Sequence, residues 1–337
     1  MRIDHNGEKM RLKFNILCFE DNPQNLKPVL KGVGNYLEES GFELNIVGTY
    51  QNNDELPGIV EDIKAKRLDV DLILMDYFLT NNQKGSTLIK SIRNCELYTD
   101  IIFYTQKGDL QKEIEFLEGI YLAGRDTLKE KTIIVIKNLL KKALDLSNFR
   151  GLYMAETSEL NSLMEDIILI FITGNLFKNP AIELQTIKDK LIEKLDDSLD
   201  GIKKIDATNI ENAHKILSEL ISFHKARAIT RLTKNFIAEI EASKTIDEKL
   251  KCITQKLSGI DFKAKDYKNE ILSLRNMLAH AKEITKNGVK VLCSTPPRKD
   301  FVFTESQSLE ARKNLKKYSK ILSDIYETIS GKKWVTD

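Results

Sequence analysis

The sequence predicts two unlike halves: a doubly wound α/β domain on five parallel strands, then an all-α domain with a small β-hairpin. Three observations predict this. Within residues 1–145 short apolar runs alternate with amphipathic stretches five times. From about Leu146 long helical periods take over and strand signals become few. The charge balance shifts at the same place, from a net of −3 before residue 146 to +5 from there on.

In the first half Phe14–Phe19 (FNILCF) reads as a buried strand that ends at Glu20-Asp21-Asn22. An amphipathic helix follows over about Asn25–Ser40 and is stopped by Gly41. Phe42–Thr49 is the second strand, Glu55–Lys66 the second helix, and Val70–Met75 the third strand. Gly85–Asn94 is then helical, Ile101–Thr105 a strand, Leu110–Leu117 helical, Gly119–Ala123 a short fifth strand, and Lys131–Leu144 the last helix. Strands separated by helical crossovers make a parallel sheet, whose ligands bind beyond the carboxyl ends of the strands.

In the second half the spacing predicts helices over 154–173, 182–200, 208–224, 225–243, 246–257, 264–284 and 305–330. Val289–Cys293 and Phe301–Phe303 are expected to pair as a hairpin through Thr295-Pro296-Pro297-Arg298. Asn148 and Gly151 are expected to break the helical pattern near residues 147–151. The expected organisation is a tail over 1–12, an α/β domain over 13–146 and a helical domain over 152–337.

Composition narrows the function classes. With 42% hydrophobic and 30% charged residues among 337, the chain is too apolar for disorder. Its longest aliphatic or aromatic run, Ile167–Ile172, is far below the roughly 18 residues of a membrane span. The N-terminus is polar and mixed in charge, and the four cysteines (18, 95, 252 and 293) show no zinc-like spacing. A cytoplasmic protein without a membrane partner is expected. No helix-turn-helix with a basic recognition helix is present, so sequence-specific DNA is not an expected partner.

The chemistry candidates of the first half are at strand ends. Glu20 and Asp21 close strand one, Asp76 closes strand three and Thr105 closes strand four. Strands one, three and four are neighbours in this topology, so three carboxylates and a hydroxyl converge. Hard oxygens of this kind suit Mg²⁺, and a carboxylate beside such a cation can attack a phosphoryl group. FEDN, then LILMDYFL with Gly85 nine residues after the aspartate, then FYT, resemble the receiver domain of two-component response regulators.

The resemblance implies a flavodoxin-like fold, Asp76 as phosphoacceptor, and Mg²⁺ held by Glu20, Asp21 and Asp76. It also implies that Thr105 senses the phosphoryl group and that a cognate histidine kinase is a partner. Receivers carry a lysine at the end of strand five. Here Gly124 or, one place on, Arg125 stands there, so Arg125 is the cation left to pair with a phosphate. That departure leaves open whether Asp76 is phosphorylated.

In the second half Ile271, Leu274, Leu278 and Ala281 form an apolar stripe, and Arg275, Asn276 and His280 flank a polar edge. Arginine offers a positive fork for phosphate, and histidine moves protons near neutral pH. Together they are a minimal set for cleaving RNA by attack of its 2′-hydroxyl, which requires no metal. The segment looks like the Arg-x₄-His motif of HEPN domains. That resemblance implies a homodimer with facing motifs, in which Arg275 and His280 are catalytic and Asn276 orients them.

The expected function is therefore a metal-independent endoribonuclease of toxin or antiviral-defence type, gated by a receiver-like domain. A non-catalytic signalling adaptor is the alternative, and an inhibitor a third reading. Lys225, Arg227, Arg231 and Lys234, just after His224, offer either an RNA-contacting face or a solvated one.

Overall fold

The computed structural model describes residues 12–52, 54–105, 117–143, 146–192, 205–218, 220–243, 247–286, 289–294 and 305–332. The chain divides after Asp145 into two compact units. The first holds β1 (Lys13–Phe19), α1 (Lys27–Glu39), β2 (Glu43–Tyr50), α2 (Leu56–Lys64), β3 (Leu72–Asp76), α3 (Gly85–Asn94), β4 (Asp100–Thr105), β5 (Ile120–Gly124) and α4 (Leu128–Ala143). Every strand pair is parallel and the order is β2-β1-β3-β4-β5, a doubly wound sheet as expected from the alternating pattern. The helix expected at Leu110–Leu117 falls, except for Leu117, outside the described residues.

Successive strand residues face opposite sides of the sheet, and this sorts the core. Leu17, Phe19, Ile73, Met75, Ile101 and Phe103 form one face and pack on Leu56, Ile59 and Val60 of α2 and Leu88, Ile89 and Ile92 of α3. Each such buried side chain contributes roughly 1.5–3 kcal/mol. The alternate residues, among them Cys18, Leu74, Ile102 and Tyr104, occupy the other face and are also fully buried. Gly85 explains how α3 starts against the end of β3. Its N–H donates to the Tyr77 carbonyl at 2.8 Å, and a Cβ there would collide with the Asp76 carbonyl oxygen.

The second unit is helical: α5 (Leu146–Thr173), α6 (Pro180–Ile192), α7 (Ala213–Ser218), α8 (Ser222–Glu241), α9 (Glu248–Ser258), α10 (Ala264–Tyr267), α11 (Ser273–His280) and α12 (Glu305–Ser330). The long α5 packs against α8 and α12. Asn148 and Gly151 do not break it, because both are exposed and a lone glycine on an exposed face costs a helix only about 1 kcal/mol.

Between α10 and α11, Lys268–Leu272 form a π-helical turn. Such a turn disturbs the regular carbonyl pairing, and side chains reach the carbonyls around it. Tyr153 Oη donates to the Ile271 carbonyl at 3.2 Å, and Ser273 Oγ donates to that of Lys268 at 3.0 Å. Past the turn, Arg150 Nη2 donates to the Ala279 carbonyl at 3.0 Å, satisfying one acceptor at the end of α11.

Two expectations are corrected here. The helix expected over 264–284 stops at His280, and Ala281–Lys286 is a strand, β6. It pairs antiparallel with β7 (Val289–Ser294), so the hairpin partner of 289–293 is the segment before it. Phe301–Phe303 lies outside the described residues. The physical reason is reach: the register pairs Lys286 with Val289, so the strand just before Val289 meets it through the shortest connection.

Candidate functional site

Register builds the site in the first unit. Phe19 pairs with Met75 and Asp76 with Tyr104. Glu20 follows Phe19, so Glu20, Asp76 and Tyr104 fall in one row at the carboxyl end of the sheet, all on the face opposite the α2–α3 core. Arg125 follows β5, and its backbone N–H donates to the Thr105 carbonyl at 3.0 Å, which carries the β4–β5 ladder one residue further.

The Arg125 side chain reaches back across that row. Its Nη2 lies 2.7 Å from Asp76 Oδ2 and 2.9 and 3.0 Å from the two oxygens of Glu20. Tyr104 Oη donates to Glu20 Oε2 at 2.7 Å, while Asn25 Nδ2 and the Asn22 N–H reach Glu20 Oε1 at 3.3 Å. The Tyr77 N–H donates to Asp76 Oδ1 at 2.8 Å. Glu20 is fully buried and Asp76 is 4% exposed, so these are charge-assisted bonds in a dry setting. The Arg125 Nε is buried too and has no acceptor among the described residues.

The electrostatics follow from that geometry. Burial first, and the Glu20 charge second, push the Asp76 carboxyl up to about 7, although Arg125 and the Tyr77 N–H pull the other way. Burial works against the charge on Arg125, and Asp76 and Glu20 outweigh it, so its proton is held more tightly than usual. Burial and Glu20 push the Cys18 thiol, on the same face, up to about 12. Cys18 is therefore an inert core residue.

Glu20, Asp21 and Asp76 each offer an oxygen, all within 4.8 Å of one another, with Asp21 exposed at the mouth. This hard, anionic donor set fits a divalent cation such as Mg²⁺. Thr105 is buried at the end of β4, where it pairs with Gly124. The structure thus brings Glu20, Asp21, Asp76, Thr105 and Arg125 to one end of the sheet. Sequence reasoning missed Tyr104. The available signal was a tyrosine in a buried strand, whose hydroxyl must find an acceptor.

In the second unit Arg275 and Asn276 are exposed neighbours on α11, and Arg275 Nη1 donates to Asn276 Oδ1 at 3.2 Å. His280 is the last residue of the same helix.

No protein-family model matches the chain, and no curated protein sequence does. Among solved structures it is similar to the REC domain of the PhyR response regulator of Erythrobacter litoralis. That match has 19% identity, covers 38% of this chain and 90% of that one, and has a TM-score of 0.27. It is also similar to the RcsB response regulator of Salmonella typhimurium, at 19% identity over 66% of this chain and 99% of that one, with a TM-score of 0.27.

Both are response regulators. The first unit has a receiver-like α/β fold, and the strand order carries that assignment. Among the described residues no helix is long and apolar enough to cross a membrane.

Proposed function

We propose that the chain is a signal-gated endoribonuclease, with the receiver-like unit as the gate and the helical unit as the cutting part. One observation carries the gate. A single guanidinium nitrogen occupies the space between Glu20 and Asp76 and binds both. For Asp76 Oδ2 to attack the phosphorus of a phosphohistidine, forming an acyl phosphate as the P–N bond breaks and the imidazole leaves, Arg125 must release that oxygen. The Arg125 Nε then gives a buried donor to the oxygens of the phosphoryl group that arrives. Glu20, Asp21 and Asp76 would hold Mg²⁺, which supplies neutralisation of the carboxylate and phosphoryl charges when bound. A histidine kinase is the partner this chemistry fits.

The cutting site rests on Arg275, Asn276 and His280 along α11. His280 removes the proton of a ribose 2′-hydroxyl, whose oxygen attacks the adjacent phosphorus. The bond to the 5′-oxygen breaks, that oxygen takes the proton held by the His280 imidazolium, and a 2′,3′-cyclic phosphate remains. Arg275, steadied by Asn276, neutralises the phosphorane charge. Two copies with facing motifs make one composite site.

The test is metal-free cleavage of a labelled RNA pool by wild type, Arg275→Ala and His280→Ala, with and without pretreatment by an acyl-phosphate donor and Mg²⁺. Cleavage is expected from wild type only, to change with the donor, and to leave cyclic phosphate ends. Equal cleavage by all three proteins, or none in either state, overturns the reading.

A further inference from the structure

A groove of about 530 Å³ opens on the helical unit, and the cutting site leaves it unused. Its floor is apolar, formed by Ile187, Leu220, Phe223, Ala228 and Ala264. Cations line it from three elements, and their partners sort them. Lys225, which belongs to the same basic run of α8, points inward to Glu165 at 2.7 Å. Arg231 is bound to Glu183 at 2.7 Å, and that carboxylate also accepts from Asn235 at 3.0 and 3.1 Å. Lys263 pairs with the exposed Asp261 at 3.0 Å.

Four cations on the groove remain: Lys190 of α6, Arg227 and Lys234 of α8, and Lys265 of α10. All four are exposed, and among the described residues they form no ion pair. Arg227 and Lys234 are seven residues apart, which puts them on one helix face about 10 Å apart along the axis. That spacing is too long for one phosphate group and suits separate phosphates along one strand.

The floor adds a second requirement. Phe223 is half-buried, with Arg227 Cζ 5.9 Å and Lys268 Nζ 5.1 Å from its ring centroid. An apolar, aromatic floor under a cationic rim accepts flat bases below and phosphates above. An acidic peptide would meet the charges and leave the floor uncovered. Lys268 belongs to the π turn that leads directly to α11, so the groove and Arg275 share one stretch of chain.

We infer that this groove binds single-stranded RNA, its phosphates on Lys190, Arg227, Lys234 and Lys265 and a base over Phe223. The inference deepens the ribonuclease reading by naming the surface that grips the substrate, and it rests on RNA being that substrate. Binding can nevertheless be measured without cleavage.

The experiment is fluorescence anisotropy of a fluorescein-labelled, unstructured 12-nucleotide RNA with the full-length His280→Ala protein. Arg227→Ala/Lys234→Ala is compared in that background, with an oligoglutamate of equal charge as competitor. Four phosphate contacts give a slope of log K on log salt of about −2.8, and the double variant lowers it in size by about 1.4. Affinity at low salt is expected to fall at least tenfold, with circular dichroism unchanged because both side chains are exposed. Unchanged affinity in the double variant, no binding without it, or equal competition by oligoglutamate overturns the inference. RNA binding through Arg227 and Lys234 with no cleavage by wild type overturns the ribonuclease and leaves the groove standing.

Discussion

Arg125 bridges Asp76 and Glu20 through one atom: Nη2 lies 2.7 Å from Asp76 Oδ2 and 2.9 Å from Glu20 Oε1. Two buried carboxylates are thereby held by one fixed positive charge that arrives from the end of β5. Removing it takes away the one positive charge that both carboxylates share, a loss on the order of 3–5 kcal/mol when a buried pair is broken. A divalent cation can then take its place.

Arg125→Ala is therefore expected to melt well below wild type in EDTA, and to regain much of the loss in millimolar Mg²⁺. Wild type should gain less from the metal, because Arg125 already engages two of the three ligands. Thermal melts with and without Mg²⁺ check this. An equal Mg²⁺ gain in both proteins would contradict it.

Asp76 makes the first unit sensitive to pH. With its carboxyl pushed up to about 7 by burial and Glu20, the folded protein holds a proton that the unfolded chain has already released. Its contribution to stability is present in full below the ordinary carboxylate range and is lost as pH rises toward 7. Asp76→Asn removes this dependence, so its stability gain over wild type should be larger at pH 8 than at pH 5. Urea unfolding at the two pH values measures it, and an equal difference at both would refute the argument.

Tyr104→Phe keeps the ring and deletes one donor to Glu20. Hydrogen bonds to charged groups are worth about 1.5–3 kcal/mol, and the variant should lose about that much in urea unfolding. A loss below about 0.5 kcal/mol would mean that Arg125, Asn22 and Asn25 suffice to satisfy Glu20.

Lys225 and Arg227, two residues apart on α8, should behave oppositely. Lys225→Ala strands Glu165, which is 27% exposed, and is expected to cost about 2 kcal/mol, below the cost of a fully buried pair. Arg227→Ala removes an exposed charge and should stay within about 0.5 kcal/mol of wild type. Chemical denaturation of both variants reads the contrast.

The parallel sheet was legible because β1, β3 and β4 are covered on both faces and so read as largely apolar runs, each ending at Glu20, Asp76 or Thr105. Glu20 and Asp76 could be placed from topology alone, since strand order makes their ends neighbours. Arg125 could be named as the cation near the site, but its reach to both carboxylates depends on the β4–β5 register. That register is a contact between strands and leaves no periodic trace in the sequence.

The basic run after His224 could not be sorted for a similar reason. Helical spacing shows which residues share a face, and only packing shows that Lys225 and Arg231 meet Glu165 and Glu183. The β6 strand was missed because the amphipathic rhythm of 264–280 was carried on past its end.

The π turn at Lys268–Leu272 has one more consequence. It is a single extra residue inside a helical winding, and each residue of an α-helix turns the chain by 100°. Arg275 and Asn276 therefore look out along a compass bearing that an uninterrupted helix from Ala264 would never give them. A deletion of one residue at 268–272 would close the turn into regular helix and leave the polar pair on its present bearing, whereas straightening the turn with every residue kept would swing the pair by about 100°. The aim of the motif is set upstream of the motif.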